Sequence, residues 1–116
     1  MPEITIYHNP KCGTSRKVLE AIRQAGEEPR IVEYLKTPPT VAELKTLLEC
    51  MGKTPSEILR KKESLYKDLK LDQELPSDAQ LLKLLHEHPV LMERPIVAKG
   101  RKAILARPPE RLKDIL

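Results

Sequence analysis

Apolar residues alternate with polar ones at the start of the chain and then recur with the period of a helix. Residues 4–7 alternate and are rich in β-formers, which predicts a strand. The following apolar residues share one helical face until Gly26 ends the pattern: Val18, Leu19, Ile22 and Ala25. Residues 30–35 predict a second strand. A strand, a helix and a strand in succession form a βαβ unit, so we expect the two strands to be parallel.

The middle of the chain carries helix-start signals and no strand pattern. Three such signals lie there: Thr40 with Glu43, Thr54 with Pro55, and Ser77 with Gln80. Apolar residues at helical spacing follow them: Leu44, Leu47, Leu48, Met51, Ile58, Leu59, Leu81, Leu84 and Leu85. We therefore expect a run of short helices in this part of the chain.

An extended pattern returns near the end of the chain. Residues 96–98 and 102–106 flank Lys99-Gly100 and predict a β-hairpin. Leu112, Ile115 and Leu116 predict a closing helix. The order of elements predicts one α/β domain over residues 1–116, with helices on both faces of a small mixed sheet.

Composition narrows the classes of function. No apolar stretch among the 116 residues is long enough to cross a membrane, and no secretory signal is visible. The net charge of +4 suits a small anionic ligand, whereas the absence of Trp and Phe removes most stacking platforms for nucleic acid. Two cysteines without a C-x-x-C pair favour a reducing, cytoplasmic location.

Cys12 stands between the first predicted strand and the first predicted helix. A helix N-terminus presents unpaired backbone N–H groups and the positive end of the helix dipole, and both favour a thiolate. We therefore expect the Cys12 pKa to lie below its ordinary value. The same backbone N–H groups, around Gly13 and Thr14, can hold a tetrahedral oxyanion.

The neighbours of Cys12 strengthen this interpretation. The Ser15 hydroxyl is placed to donate a hydrogen bond to the sulfur, and His8 and Arg16 offer positive charge nearby. The alternative is that Cys12 is a small buried apolar residue, but the polar loop favours a reactive thiol. Cys50, near the end of an amphipathic helix, is interpreted as a packing residue.

Three arginines stand at predicted element boundaries: Arg60, Arg94 and Arg107. The planar guanidinium binds oxyanions through paired hydrogen bonds. From spacing alone, each is better explained as a solvated surface group. His86 and His88 are two positions apart on a helix and therefore indicate no metal site, and no nucleotide-binding motif is present.

Taken together, these motifs resemble the glutaredoxin-coupled arsenate reductases of the ArsC type. The resemblance spans essentially the whole chain. It rests on residues 4–16 (Ile-Thr-Ile-Tyr-His-Asn-Pro-Lys-Cys-Gly-Thr-Ser-Arg), 34–39 (Tyr-Leu-Lys-Thr-Pro-Pro), 58–61 (Ile-Leu-Arg-Lys) and 88–96 (His-Pro-Val-Leu-Met-Glu-Arg-Pro-Ile).

The resemblance implies a thioredoxin-like fold with a helical insertion at about residues 40–90. It also implies that Arg94-Pro95 forms a cis-proline loop facing the cysteine. Residue roles follow from the same resemblance: Cys12 as nucleophile, His8 and Ser15 as groups that lower its pKa, and Arg60, Arg94 and Arg107 as oxyanion ligands.

The implied reaction is the reduction of arsenate. The Cys12 thiolate attacks arsenic, a glutathione thiol displaces the adduct, glutaredoxin removes the glutathione, and arsenite leaves. Electrons come from outside, so neither a metal nor any other bound cofactor is expected. We expect a monomer that binds neither nucleic acid nor a membrane.

Two other functions stay open at this stage. The first is a thiol reductase of the same mechanism that acts on another substrate, such as a mixed disulfide with glutathione. The second is a regulator of the Spx type, which shares the fold and binds RNA polymerase. Those regulators carry C-x-x-C in this loop, whereas Ser15 takes the place of their second cysteine.

Overall fold

Strand β1 spans Ile4–His8, and its alternate residues Ile4, Ile6 and His8 are buried. It pairs in parallel with β2, Arg30–Glu33, with Ile6 opposite Ile31. The predicted parallel pair is thereby confirmed. β2 is shorter than predicted because the backbone N–H groups of Lys36 and Thr37 both turn back to the Glu33 carbonyl.

The computed structural model describes residues 3–116, and these residues divide into two compact units. The first unit contains the described residues up to Thr37 together with Arg94–Leu116. The second unit is Pro38–Glu93. The first unit carries the sheet, and the second is helical apart from one short β-bridge.

The C-terminal hairpin completes the sheet of the first unit. Strands β3, Ile96–Lys99, and β4, Lys102–Leu105, are antiparallel, as predicted. β3 also pairs antiparallel with β1, which gives the strand order β2-β1-β3-β4. The four-stranded sheet is therefore mixed, in agreement with the predicted α/β class.

One face of this sheet carries the core of the first unit. Helix α1, Gly13–Gln24, and a closing 3₁₀ helix at Pro109–Asp114 pack together on it. The cluster contains Ile4, Ile6, Val18, Ile22, Val97, Ala106, Leu112 and Ile115, all nearly inaccessible to solvent. Burial of these side chains is the main force that holds α1 against β1.

The second unit contains helices α2, Val41–Met51, α3, Ser64–Asp68, and α4, Asp78–Glu87, with 3₁₀ turns at Pro55–Ile58 and Pro89–Leu91. The predicted caps are confirmed at both long helices. The Thr40 hydroxyl accepts from the Glu43 N–H at 3.1 Å, and the Ser77 hydroxyl accepts from the Gln80 N–H at 3.3 Å. α2 packs against α4 through apolar residues that the helical spacing predicted.

Helix α3 was not predicted. It is only five residues long, and its N-cap residue Glu63 makes no side-chain capping bond. Its buried contact comes mainly from Tyr66; Leu69 is its C-cap residue, and Lys70 follows in the left-handed conformation at φ 59°. A helix this short shows no apolar period in the sequence, because one turn cannot repeat itself. No helix among residues 3–116 is long and apolar enough to cross a membrane.

Candidate active site

The loop between β1 and α1 is a tight turn that ends at Cys12. The Cys12 N–H donates to the Asn9 carbonyl at 3.0 Å, and the Lys11 N–H donates to the Asn9 side-chain oxygen at 3.0 Å. The Arg16 N–H then donates to the Cys12 carbonyl at 3.0 Å, which is the first helical hydrogen bond of α1. Cys12 is therefore the N-cap residue, as its position in the sequence predicted.

Two arginines from the C-terminal part of the first unit approach the Cys12 sulfur. The Nη1 atom of Arg107 lies 4.0 Å from the sulfur and donates to the Arg94 carbonyl at 3.1 Å. The Arg94 guanidinium also acts on the sulfur as a hydrogen-bond donor. Each arginine directly precedes a cis-proline, Pro95 or Pro108. The cis bond before Pro95 was expected from the family resemblance, whereas no sequence signal indicated the one before Pro108.

These donors overcome the effect of burial on the Cys12 thiol. Only 8% of the residue is exposed, and this burial is the largest influence and raises its pKa. Hydrogen bonding from Arg94, from the Ser15 backbone N–H and from Arg107 acts in the opposite direction. The net result lowers the Cys12 pKa from its ordinary 9.0 to about 7. About half of the thiol is then ionised near neutral pH, which provides a nucleophile.

Ser15 reaches the sulfur through its backbone rather than its side chain. Its hydroxyl oxygen lies 2.6 Å from the Nδ1 atom of His8 and accepts from the Asn9 N–H at 3.1 Å. No hydrogen bond joins this hydroxyl to the Cys12 sulfur in the described part of the chain. The hydrogen bond expected from the Ser15 hydroxyl to the sulfur is therefore absent among the described residues, because the hydroxyl turns to the buried partners His8 and Asn9.

His8 supplies little positive charge to the site. Burial is the main cause that lowers its pKa below 6.5, and Arg23 and Arg16 lower it further, while Glu33 raises it. The imidazole is accordingly mostly neutral at pH 7. The lowered pKa disfavours the positive charge expected of His8, and its ring is a buried hydrogen-bond partner of Ser15.

Gly13 and Thr14 are the first two residues of α1, so their backbone N–H groups belong to the unpaired start of the helix. A Cβ atom added at Gly13 would meet only the Nη2 atom of Arg16, at 3.8 Å. That is an ordinary van der Waals separation. Glycine is thus not required sterically at this position.

Arg60 lies in the second unit, where two carboxylates hold it. Its Nη1 atom is 3.3 Å from Glu93 and its Nε atom is 3.5 Å from Glu63. The backbone supports this cluster, because the Arg60 N–H donates to the Leu91 carbonyl and the Glu93 N–H to the Ile58 carbonyl. The structure thus brings Arg94 and Arg107 to Cys12 within the first unit and pairs Arg60 with acidic side chains in the second.

The other candidates from the sequence have ordinary surroundings. Cys50 is a half-buried free thiol in α2. The Nδ1 atom of His86 lies 2.8 Å from the Pro39 carbonyl. No group of His, Cys, Asp and Glu side chains within residues 3–116 is arranged to hold a metal ion. Sequence reasoning did not find the contact between the Arg16 side chain and the Cys12 loop, since no sequence signal reports where a long exposed side chain folds.

Known proteins resemble this chain in both sequence and fold. A sequence profile described as the ArsC family matches residues 7–115. The arsenate reductase of Yersinia enterocolitica is 49% identical over 116 residues, covering 100% of this chain and 82% of that protein. The solved structure of an arsenate reductase from Vibrio cholerae has a TM-score of 0.94 at 42% identity, covering 99% of this chain and 98% of that one. The uncharacterized protein YfgD of Escherichia coli (strain K12) is 42% identical, covering 98% of this chain and 97% of that protein.

Proposed function

Because the chain belongs to the ArsC family and has a thioredoxin-like fold, we propose that it is an oxidoreductase that reduces arsenate to arsenite. One observation carries the proposal. A buried cysteine with a pKa of about 7 stands at a helix start beside two guanidinium groups. This arrangement combines a nucleophile with the cations that a tetrahedral oxyanion needs.

In the proposed first step, the Cys12 thiolate attacks the arsenic(V) of arsenate. A sulfur–arsenic bond forms, and one arsenate oxygen leaves as water after protonation. Arg94 and Arg107 neutralise the remaining oxygens, and the backbone N–H groups of Gly13 and Thr14 add donors at the helix start. Arg60 is proposed as a third oxyanion ligand on the family resemblance alone.

Electrons for the reduction come from thiols. In the proposed second step, glutathione forms a disulfide with the Cys12 sulfur, and the electron pair of the broken sulfur–arsenic bond stays on arsenic. Arsenate and two thiols thus give arsenite, one disulfide and water. Arsenic gains two electrons, and each sulfur loses one. Glutaredoxin then returns Cys12 to the thiol, so the chemistry needs no metal, flavin or nicotinamide bound to this chain.

The same chemistry indicates where the protein works. Both cysteines are free, and a reaction that consumes glutathione needs a reducing compartment. We therefore place the protein in the cytoplasm. We also propose that it acts as a monomer.

A coupled assay tests this proposal. Purified protein is supplied with arsenate, glutathione and glutaredoxin, and loss of NADPH is followed through glutathione reductase. We expect turnover that depends on arsenate, disappears in Cys12→Ser and persists in Cys50→Ser. Turnover by a folded Cys12→Ser variant would overturn the role of the nucleophile.

If the folded wild-type protein shows no arsenate-dependent turnover, arsenate is not its substrate. The low pKa of the Cys12 thiol then favours the alternative that the protein is a reductase of the same mechanism, with another oxyanion or a glutathionylated protein as substrate. The same assay, with those compounds in place of arsenate, measures that alternative.

A further inference from the structure

The Arg16 side chain folds back over the Cys12 loop. Its Nη1 atom donates a hydrogen bond to the Pro10 carbonyl at 2.9 Å. Its Nη2 atom lies 3.8 Å from the position that a Cβ atom of Gly13 would occupy. The guanidinium is therefore held beside the residues on either side of the nucleophile, although Arg16 itself is exposed to solvent.

The charge of this guanidinium is not neutralised by the protein. No carboxylate among residues 3–116 lies within ion-pair distance of Arg16, and the first turn of α1 contains no acidic residue. Arg23, on the same helix, instead pairs with Glu28 at 3.1 Å. Arg16 is thus an anchored, exposed cation beside the Cys12 loop.

Its hydrogen-bonding capacity is also mostly unused. A guanidinium has five N–H donors in a planar fork, and one Nη1 donor goes to Pro10. The Nε and Nη2 donors are left, and they match the two oxygens of a carboxylate. Because Arg16 is exposed, a carboxylate can reach these donors from solvent.

We propose that Arg16 binds a carboxylate of the anionic thiol that attacks at Cys12. That this thiol is glutathione, a tripeptide with two carboxylates, rests on the proposed function. The site then divides its cations: Arg94 and Arg107 serve the oxyanion, while Arg16 recruits the second substrate. Arg16 is a binding residue for the thiol and takes no part in bond breaking.

Alkylation of Cys12 tests this binding without arsenate. Iodoacetate and iodoacetamide react with the same thiolate and differ in carrying a carboxylate or a neutral amide. The rates are measured by mass spectrometry on the peptide that contains Cys12, because Cys50 is also a free thiol. The ratio of the iodoacetate rate to the iodoacetamide rate reports attraction of a carboxylate, independently of how much thiolate is present.

We expect Arg16→Gln to lower this ratio about two- to fivefold, the range for an exposed ion pair, with a smaller effect at high salt. Lys17→Gln is the matched control, since Lys17 is an exposed cation on the same helix and the next residue in sequence. It should leave the ratio near the wild-type value. A shift of the loop in Arg16→Gln would slow both reagents together and leave the ratio unchanged.

An unchanged ratio in Arg16→Gln, or an equal drop in Lys17→Gln, would overturn the inference. Turnover gives an independent check: in Arg16→Gln the KM for glutathione should rise while the KM for arsenate stays constant. A rise in the KM for arsenate alone would make Arg16 an oxyanion ligand and refute the proposal. Failure of wild-type turnover rejects the proposed function, yet the alkylation ratio still decides the role of Arg16.

Discussion

The Nδ1 atom of His8 and the hydroxyl oxygen of Ser15 are 2.6 Å apart, and both side chains are buried. His8 is the last residue of β1 and Ser15 lies in the first turn of α1. Their buried contact therefore links the end of β1 to the start of α1, on either side of the loop that carries Cys12. This buried hydrogen bond joins the two ends of the loop without touching the sulfur.

Ser15→Ala should destabilise the protein while leaving the thiol pKa near 7. The substitution leaves the Nδ1 atom of His8 and the Asn9 N–H without their partner, which costs about 1–3 kcal/mol. The backbone N–H that faces the sulfur is retained. Urea unfolding measures the loss, and a double-mutant cycle with His8→Ala should show that the two losses do not add. If the two losses of unfolding free energy add, the His8–Ser15 hydrogen bond contributes nothing to stability.

Arg94→Gln and Arg107→Gln should each raise the Cys12 pKa from about 7 toward 9.0. The larger rise is expected for Arg94→Gln, because both the hydrogen bond and the charge of Arg94 favour the thiolate. Ultraviolet absorbance of the thiolate, followed during a pH titration, measures the shift. Arg101→Gln, on the exposed turn between β3 and β4, is the control and should leave the titration unchanged. An equal response of all three variants would contradict specific stabilisation.

The stability of the protein should depend on pH through Cys12. Its pKa is about 7 in the native state and 9.0 ordinarily, so the native state favours the thiolate. This stabilisation is complete above pH 9, declines as the pH falls toward 7 and is absent at lower pH. Wild type should thus gain free energy of unfolding relative to Cys12→Ser between pH 7 and pH 9. Parallel stability curves for the two proteins would show that folding does not perturb the thiol.

Ile6 and Ile31 offer a matched test of the core. They lie opposite each other in β1 and β2, but Ile6 is fully buried and Ile31 is 39% exposed. Ile6→Ala should cost about 2–5 kcal/mol, because it removes transfer free energy and leaves a cavity under α1. Ile31→Ala should change stability by about 0.5 kcal/mol or less. Thermal or urea unfolding of both variants compares them directly, and equal losses would place the core elsewhere.

Much of the local structure was predictable because its causes are local. Alternating side chains indicate β1, the period of apolar residues indicates α1, α2 and α4, and a serine or threonine placed three residues before a suitable partner marks a helix start. The parallel pairing of β1 with β2 also follows, since a short crossover helix permits little else. The candidate thiol was predictable for the same reason, because the strand, the loop and the helix around Cys12 follow one another directly in the sequence.

The sequence by itself thus determined the order of the strands and long helices, the caps of those in the second unit and the position of Cys12 at a helix start. Only the tertiary structure decided what surrounds the sulfur. Arg107 is 95 positions from Cys12 in the chain, and the Ser15 hydroxyl turns to His8 rather than to the sulfur. The physical reason is that periodicity and capping act between neighbours in sequence, whereas the thiol pKa is set by burial and by donors that pairing of β3 with β1 brings to the loop.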